Sequence, residues 1–213
     1  MMTSIIVLVL TIIHANAFIQ TNTFNLRRIS CLTKSTHTFL SMNTIAVFGG
    51  TGLLGRECVY QALKANYKVI ALARDPSKML IPTGSGGNLA DKPLDNPNLT
   101  VIKGDVTDQA AVDAVFDMSK DITGVIVSLG GKTKYVGPTM LTDGTANIVK
   151  AMKNKGSTKR IAVVTSIGAG DSEKQAPIFF KVLMYTVMKD IFSDKNNQEA
   201  LFINPSGPGH DLE

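Results

Sequence analysis

Residues Gly49-Gly50-Thr51-Gly52-Leu53-Leu54-Gly55 set glycines in the pattern G-x-x-G-x-x-G, directly after the apolar run Thr44–Phe48. That arrangement suits the binding of a pyrophosphate. Gly49 permits a tight turn, Gly52 lets the backbone approach the phosphates from an expected positive φ, and Gly55 lets the following helix pack closely on the strand. The helix N-terminus, with its free N–H groups and positive dipole end, would meet the anionic charge. A lone glycine triplet is weak evidence; its place between the first apolar strand and the first amphipathic helix makes it strong.

The next apolar run ends Leu72-Ala73-Arg74-Asp75. An NAD site wants a carboxylate there for the ribose 2′-OH, whereas a guanidinium matches a 2′-phosphate. Arg74, with Lys78 one turn on, therefore points to NADP with NADPH preferred over NADH; Asp75 keeps NAD open as the alternative. Asp105 and Val106 close a third run, where the carboxylate can bond an adenine edge and the valine pack on its face. Ser128-Leu129-Gly130-Gly131 close a fourth, where close backbone approach to a nicotinamide is expected at Leu129 and Gly130.

Tyr185 and Lys189 spell Y-x-x-x-K, a pair in which the lysine would lower the tyrosine pKa for proton transfer. The apolar run Ile178–Tyr185 weighs against it, because it has the look of packing surface. Histidine and cysteine are excluded more firmly. Beyond residue 42 only Cys58 and His210 remain, too few for a Cys/His metal site, a Ser-His-Asp triad or an internal disulfide. No metal is expected.

These groups need a scaffold that gathers strand ends. Apolar runs at Thr44–Phe48, Lys68–Ala73, Leu99–Lys103, Gly124–Leu129 and Ile161–Thr165 read as buried strands. Helical spacing marks Leu53–Asn66, Gln109–Met118, Thr139–Lys155 and one long segment, Pro177–Phe202, while 81–98 reads as a surface loop. Five rounds of alternation predict an α/β, doubly wound parallel sheet, with the sites on its C-terminal edge.

The chain has 213 residues and a net charge of +5. Residues 1–42 hold three of the 22 bases (Arg27, Arg28 and Lys34) and no acid, so the remainder carries only +2. No basic run there suggests nucleic acid. Ile5–Ile13 is an apolar run of signal-peptide length, far short of the roughly 20 residues of a membrane span. It is followed by Ala15-Asn16-Ala17, spaced for cleavage before Phe18. Residues 18–42 are rich in Ser, Thr and Asn and lack acids, as transit peptides are. The expectation is a signal peptide over 1–17, a transit-peptide-like segment over 18–42 and one NAD(P)-binding domain over 43–213, with delivery to a plastid. Plain secretion, or cytosolic initiation at Met42, are the alternatives. No stable membrane span is expected after leader removal.

Taken together, IAVFGGTGLLG, KVIALARDPSK, GDVTD, VIVSLG, PTMLTDGTANIVKAMKNKG and RIAVVTS resemble the atypical short-chain dehydrogenase/reductase group of NmrA-like NAD(P)-binding proteins. The likeness is nearest to the NADPH-dependent flavin reductase / biliverdin reductase (B form) type and runs from about residue 44 to 170. It implies a Rossmann fold and cofactor contacts at Gly49, Thr51, Gly52, Leu53, Leu54, Arg74, Asp105, Val106, Leu129 and Gly130. It also implies a serine beside the nicotinamide at Ser166, which could equally cap the turn after the fifth strand. The lysine of related families aligns better with Lys195 than with Lys189, which leaves Ile191 at the tyrosine position. Relatives continue into a sixth strand and an Arg-Pro-Gly turn, so a truncated C-terminal part is expected here.

Two functions follow. One is an NADPH-dependent oxidoreductase passing hydride to a small-molecule acceptor of the flavin, bilin or quinone-like class, with water supplying the proton. The other is a non-catalytic NADP-binding, redox-sensing or assembly protein of the plastid.

Overall fold

Thr44–Phe48 forms β1, buried along its whole length, because it is the middle strand of the sheet. The computed structural model describes residues 43–131, 137–156 and 158–213; the leader expected over 1–42 lies outside them. Beside β1 stand β2 (Lys68–Ala73), β3 (Leu99–Lys103), β4 (Ile122–Val127) and β5 (Ile161–Val163). Their order across the sheet is β3-β2-β1-β4-β5, every pair parallel.

Side chains of a strand alternate between faces, and each face here has its own core. Ile45 and Val47 of β1 join Val69 and Ala71 of β2 beneath helix α1 (Leu53–Lys64), which contributes Cys58, Val59, Ala62 and Leu63. Ala46, Phe48, Ile70 and Leu72 face the other way. They meet Val112, Val115 and Phe116 of α2 (Gln109–Asp117) and Ile148 and Met152 of α3 (Met140–Lys155). Helices on both faces and a strand order that reverses beside β1 make a doubly wound, Rossmann-like sheet. Burial pushes the Cys58 thiol, aided by the neighbouring Glu57 charge, up to about 11, so this cysteine is a packing group.

Segment 81–98 is more than a surface loop. Ile81 pairs with the strap's return through Ile81 N–H to Lys92 O at 2.8 Å, and Leu80 bridges Pro93 antiparallel. Buried Glu57 accepts the Ser85 amide at 2.9 Å. The segment thereby covers the α1 face where a crossover helix would otherwise lie.

The expected helix over 177–202 is two helices, α4 (Ile178–Tyr185) and α5 (Lys189–Ile203). Thr186 leaves helical geometry at φ −109°, ψ −83°, and its hydroxyl turns back on the Val182 carbonyl at 2.7 Å. Such i−4 back-bonding offers the backbone an alternative to the helix ladder.

Helix α5 is tied to α3 through buried polar groups. Asp194, 4% exposed, accepts the amides of Leu141 (2.8 Å) and Thr142 (2.9 Å) and the Thr142 hydroxyl (2.6 Å). A residue 52 positions away thus caps α3, whose own Thr139 provides no cap. Gln198 adds a bond from its Nε2 to Thr145 Oγ1 at 2.7 Å. Asp194→Ala leaves the first-turn amides of α3 buried without an acceptor and should cost about 1–3 kcal/mol in urea unfolding. Asp194→Asn, which keeps one acceptor, should lose less. Stability equal to wild type for the alanine variant would show that the cap contributes nothing.

Candidate dinucleotide site

The carboxyl ends of β1 to β4 open into one cleft of about 500 Å³. Its position follows from topology: the chain leaves β1 and β4 in opposite directions, and the gap between those exits is a crevice. Gly49 makes the first turn at φ +82°, and a β-carbon there would strike the Ser128 carbonyl. The Gly49 carbonyl accepts the Gly52 amide at 3.0 Å and the Ser128 hydroxyl at 3.3 Å. Gly55 has no room for a side chain either, being pressed against the Gly49 carbonyl.

Gly52 differs from expectation. It caps α1 at φ −73°, ψ 166°, ordinary extended backbone and not the positive-φ region. A β-carbon on it would meet only the Gly49 oxygen, at 3.3 Å. The empty space above Gly52 is therefore not required by the protein's own packing, and it belongs to the cleft. No side chain caps α1 and its first turn holds no carboxylate, so among the described residues none competes for an anion at this helix terminus. The geometry fits a dinucleotide phosphate, with Gly49–Leu54 to hold it.

Of the twelve cofactor positions expected from sequence, ten line the cleft: Gly49, Thr51, Gly52, Leu53, Leu54, Arg74, Asp105, Val106, Leu129 and Gly130. Gly55 lies behind the turn. Lys78 is outside the lining, 73% exposed and paired with Asp75 at 3.4 Å. Asp75 is committed locally, its Oδ1 accepting the amide (3.2 Å) and hydroxyl (2.6 Å) of Ser77 while its Oδ2 faces Lys78. The Ser77 hydroxyl above all holds its carboxyl below the usual range. Asp75 is not among the residues that line the cleft.

Arg74 and Asp105 are the only charged residues among the described ones lining the cleft. Burial pushes Asp105 up, but bonds from the Thr107 amide (2.9 Å) and hydroxyl (2.8 Å), with the nearby Arg74 charge, hold it below its ordinary value. It stays a carboxylate, and an acceptor, at any pH near neutral. Sequence reasoning did not commit to Phe48, Leu72, Ala73, Gly104, Ser128, Gly131 and Met140, which also line the cleft. Leu53 lines the cleft with its side chain 69% exposed.

The three catalytic candidates lie outside the cleft lining. The helix ends at Tyr185 and the next begins at Lys189, so the spacing of four no longer sets the two side chains on one helical face. Tyr185 donates to Glu173, and that bond pushes its pKa up, the reverse of activation by a lysine. Ser166 offers its carbonyl to the Ala169 amide at 3.1 Å, part of the turn after β5. Instead, Ile191 and Lys195 of α5 line a small pocket that shares Gly130, Gly131 and Met140 with the main cleft. Burial pushes Lys195 down, against the pull of Glu199 and Asp194.

A parallel doubly wound sheet with a glycine turn and an uncapped helix at its switch point defines a dinucleotide-binding α/β protein. The chain belongs to the NAD(P)H-binding family, whose pattern matches residues 49–207. It is 32% identical over 185 residues to "Reductase pytE" of Aspergillus terreus, covering 77% of this chain and 68% of that protein. To the maize dihydroflavonol 4-reductase it is 28% identical over 145 residues, spanning 64% of this chain but only 38% of the relative. Among solved structures it is similar in fold to the oxidoreductase ylbE of Lactococcus lactis (17% identity, TM-score 0.54, 76% of this chain and 63% of that one). ChuY, an anaerobillin reductase from Escherichia coli O157:H7, gives 20% identity and a TM-score of 0.50 over 70% of this chain and 64% of its own.

Because Gly52 sits at negative φ, Gly52→Val adds a side chain to the cleft without forcing the backbone out of its conformation. The variant should fold, at a cost of about 1–2 kcal/mol from a poorer N-cap and the 3.3 Å approach to the Gly49 oxygen, yet lose the rise in melting temperature that NADPH gives. A Gly52→Val protein that keeps the NADPH-induced shift would remove the phosphate from this turn.

Proposed function

We propose that the chain is an NADPH-dependent reductase that passes hydride to a flat, conjugated acceptor of the flavin, bilin or quinone-like class. The observation that carries this reading is the cleft itself. It runs from the Gly49–Leu54 turn to Gly130 and Gly131, and no tyrosine, histidine or lysine is among the described residues that line it. The described lining can bind and orient two planar partners through backbone and apolar groups, and Lys195 stands in the adjoining pocket that shares Gly130 and Gly131. Acceptors that take a hydride into an electron-poor ring and draw the proton from water suit it.

NADPH, when bound, supplies the hydride. The chain's own residues do the rest. The Gly49–Leu54 backbone holds the pyrophosphate, Asp105 accepts from the adenine edge with Val106 against its face, and Arg74 meets the 2′-phosphate. Leu129 and Gly130 allow the nicotinamide half to lie close to the backbone. The presence of Arg74 in the cleft lining, from which Asp75 is missing, supports NADPH over NADH. The name of the fungal relative, a reductase, supports the reaction class.

A lining with no tyrosine, histidine or lysine among its described residues equally favours a second reading, a protein that binds NADP without turnover and reports redox state or assists assembly. Consumption of NADPH on addition of flavin mononucleotide, followed by loss of the reduced-nicotinamide absorbance, supports the reductase; tight NADPH binding with no oxidation supports the second. In either case Arg74→Ala should weaken NADPH by about 1.5–3 kcal/mol, roughly ten- to 150-fold, and leave NADH unchanged. Equal losses for both cofactors would make Arg74 structural.

We place the site of action in a plastid, on the strength of the leader's composition alone: signal peptide over 1–17, transit-like segment over 18–42. A reporter carrying residues 1–42 should enter the plastid of an alga with secondary plastids, and Phe18→Ala should leave it outside. Cytosolic retention of the intact fusion would end this assignment.

A further inference from the structure

We propose that Asn98 carries an N-linked glycan, added as the chain passes through the endoplasmic reticulum. Asn98-Leu99-Thr100 reads Asn-x-Thr with a residue other than proline in the middle, the acceptor pattern for such a glycan. The sequence offers that pattern nowhere else. Asn204-Pro205-Ser206, the other asparagine two residues before a serine or threonine, has proline between. The inference rests on the reading of residues 1–17 as a signal peptide. The apolar run Ile5–Ile13 and the cleavage spacing before Phe18 bring the chain into the compartment where the glycan is attached. A chain begun at Met42 does not meet it.

The fold leaves this tripeptide open. Asn98 stands in the turn before β3, and Leu99 and Thr100 begin the strand. That strand closes one side of the sheet, so no further strand takes the space beside it. The Asn98 backbone is held in place: its amide donates to Asn96 Oδ1 at 2.9 Å and its carbonyl accepts the Val69 amide at 2.8 Å. Its side chain is left for chemistry. The residue is only half-buried, and its carboxamide has no hydrogen-bond partner among the described residues. Thr100, whose hydroxyl completes the acceptor pattern, is exposed. The rise of a strand sets Asn98 about 20 Å from Gly104, the residue at which this end of the sheet meets the cleft. A glycan on Asn98 therefore leaves the dinucleotide site free. Its transfer forms a bond from Asn98 Nδ2 to C1 of the first sugar of a lipid-pyrophosphate-linked oligosaccharide and breaks that sugar's C1–O bond. The lipid pyrophosphate departs with the bonding electrons, and the carboxamide gives up one proton.

The test is expression of the full chain in an alga with secondary plastids, once with its own leader and once with residues 1–17 replaced by the signal peptide of a secreted protein of that host. Digestion with a peptide N-glycosidase should move both products to lower mass on a gel and leave aspartate at position 98, read by mass spectrometry of the peptide. Asn98→Gln and Thr100→Ala should each abolish the shift in mass. Both variants should keep the NADPH-induced rise in melting temperature, since neither residue lines the cleft. A glycan on the product of the borrowed signal but none on the product of the native leader would overturn the proposal by way of the leader. No glycan on either product would overturn it at Asn98 itself, as would a mass shift that Asn98→Gln leaves intact.

Discussion

The structure depends on one carbonyl group, that of Gly49. It accepts the Gly52 amide at 3.0 Å and the Ser128 hydroxyl at 3.3 Å, and it lies against Gly55 where no side chain fits. Through those contacts it joins the end of β1, the start of α1 and the end of β4. The strand exit, the helix entry and the switch point of the sheet are then fixed relative to one another. An open helix terminus faces the resulting gap. A parallel sheet needs its helices close on both faces, and at this corner Gly49 and Gly55 allow the close approach while Gly52 leaves the cleft open beside it.

The C-terminal part of the chain is organised by polar burial. Asp194 and Gln198 of α5 reach α3 through four hydrogen bonds to Leu141, Thr142 and Thr145. Buried polar groups specify position more narrowly than apolar contact does, because only one arrangement satisfies them. The clamp fixes the start of α3, where Met140 and Leu141 border the small pocket beside the cleft. It also carries Ile191 and Lys195, on the same helix as Asp194, to that pocket. A structural carboxylate thus places two residues beside Gly130 and Gly131 of the cleft.

Much of this was legible in the sequence where one physical cause dominated. The β1, β2 and β3 boundaries follow from apolar runs stopped by Gly49, Arg74 and Gly104, and most of the cleft-lining positions follow from the strand ends. Strand β4 begins two residues early, at Ile122, because its ladder with β1 slips beside Thr44 and takes Thr123 into the strand. It stops at Val127 because Ser128 turns to the Gly49 carbonyl. Neither event has a composition signal. The break between α4 and α5 carries no proline or glycine, only a threonine hydroxyl returning to Val182, and it separated a tyrosine and a lysine that sequence spacing had paired. Lys78 was a sound candidate by position, but the Asp75 carboxylate three residues before it holds its ammonium. Local spacing finds backbone roles well; it finds side-chain pairs only where the helix is unbroken.

The central claim, that the cleft at the β1 to β4 strand ends is where a nicotinamide dinucleotide binds, is tested most directly by amide hydrogen exchange with and without NADPH. Protection should rise in four separate segments: Gly49–Leu54, Leu72–Arg74, Gly104–Val106 and Ser128–Gly130. It should not change in α4, which takes no part in the cleft. Slower exchange at all four strand ends together is the result expected of a single extended ligand lying across the switch point. Unchanged exchange at Gly49–Leu54 in saturating NADPH, or protection confined to some other part of the molecule, would contradict the account.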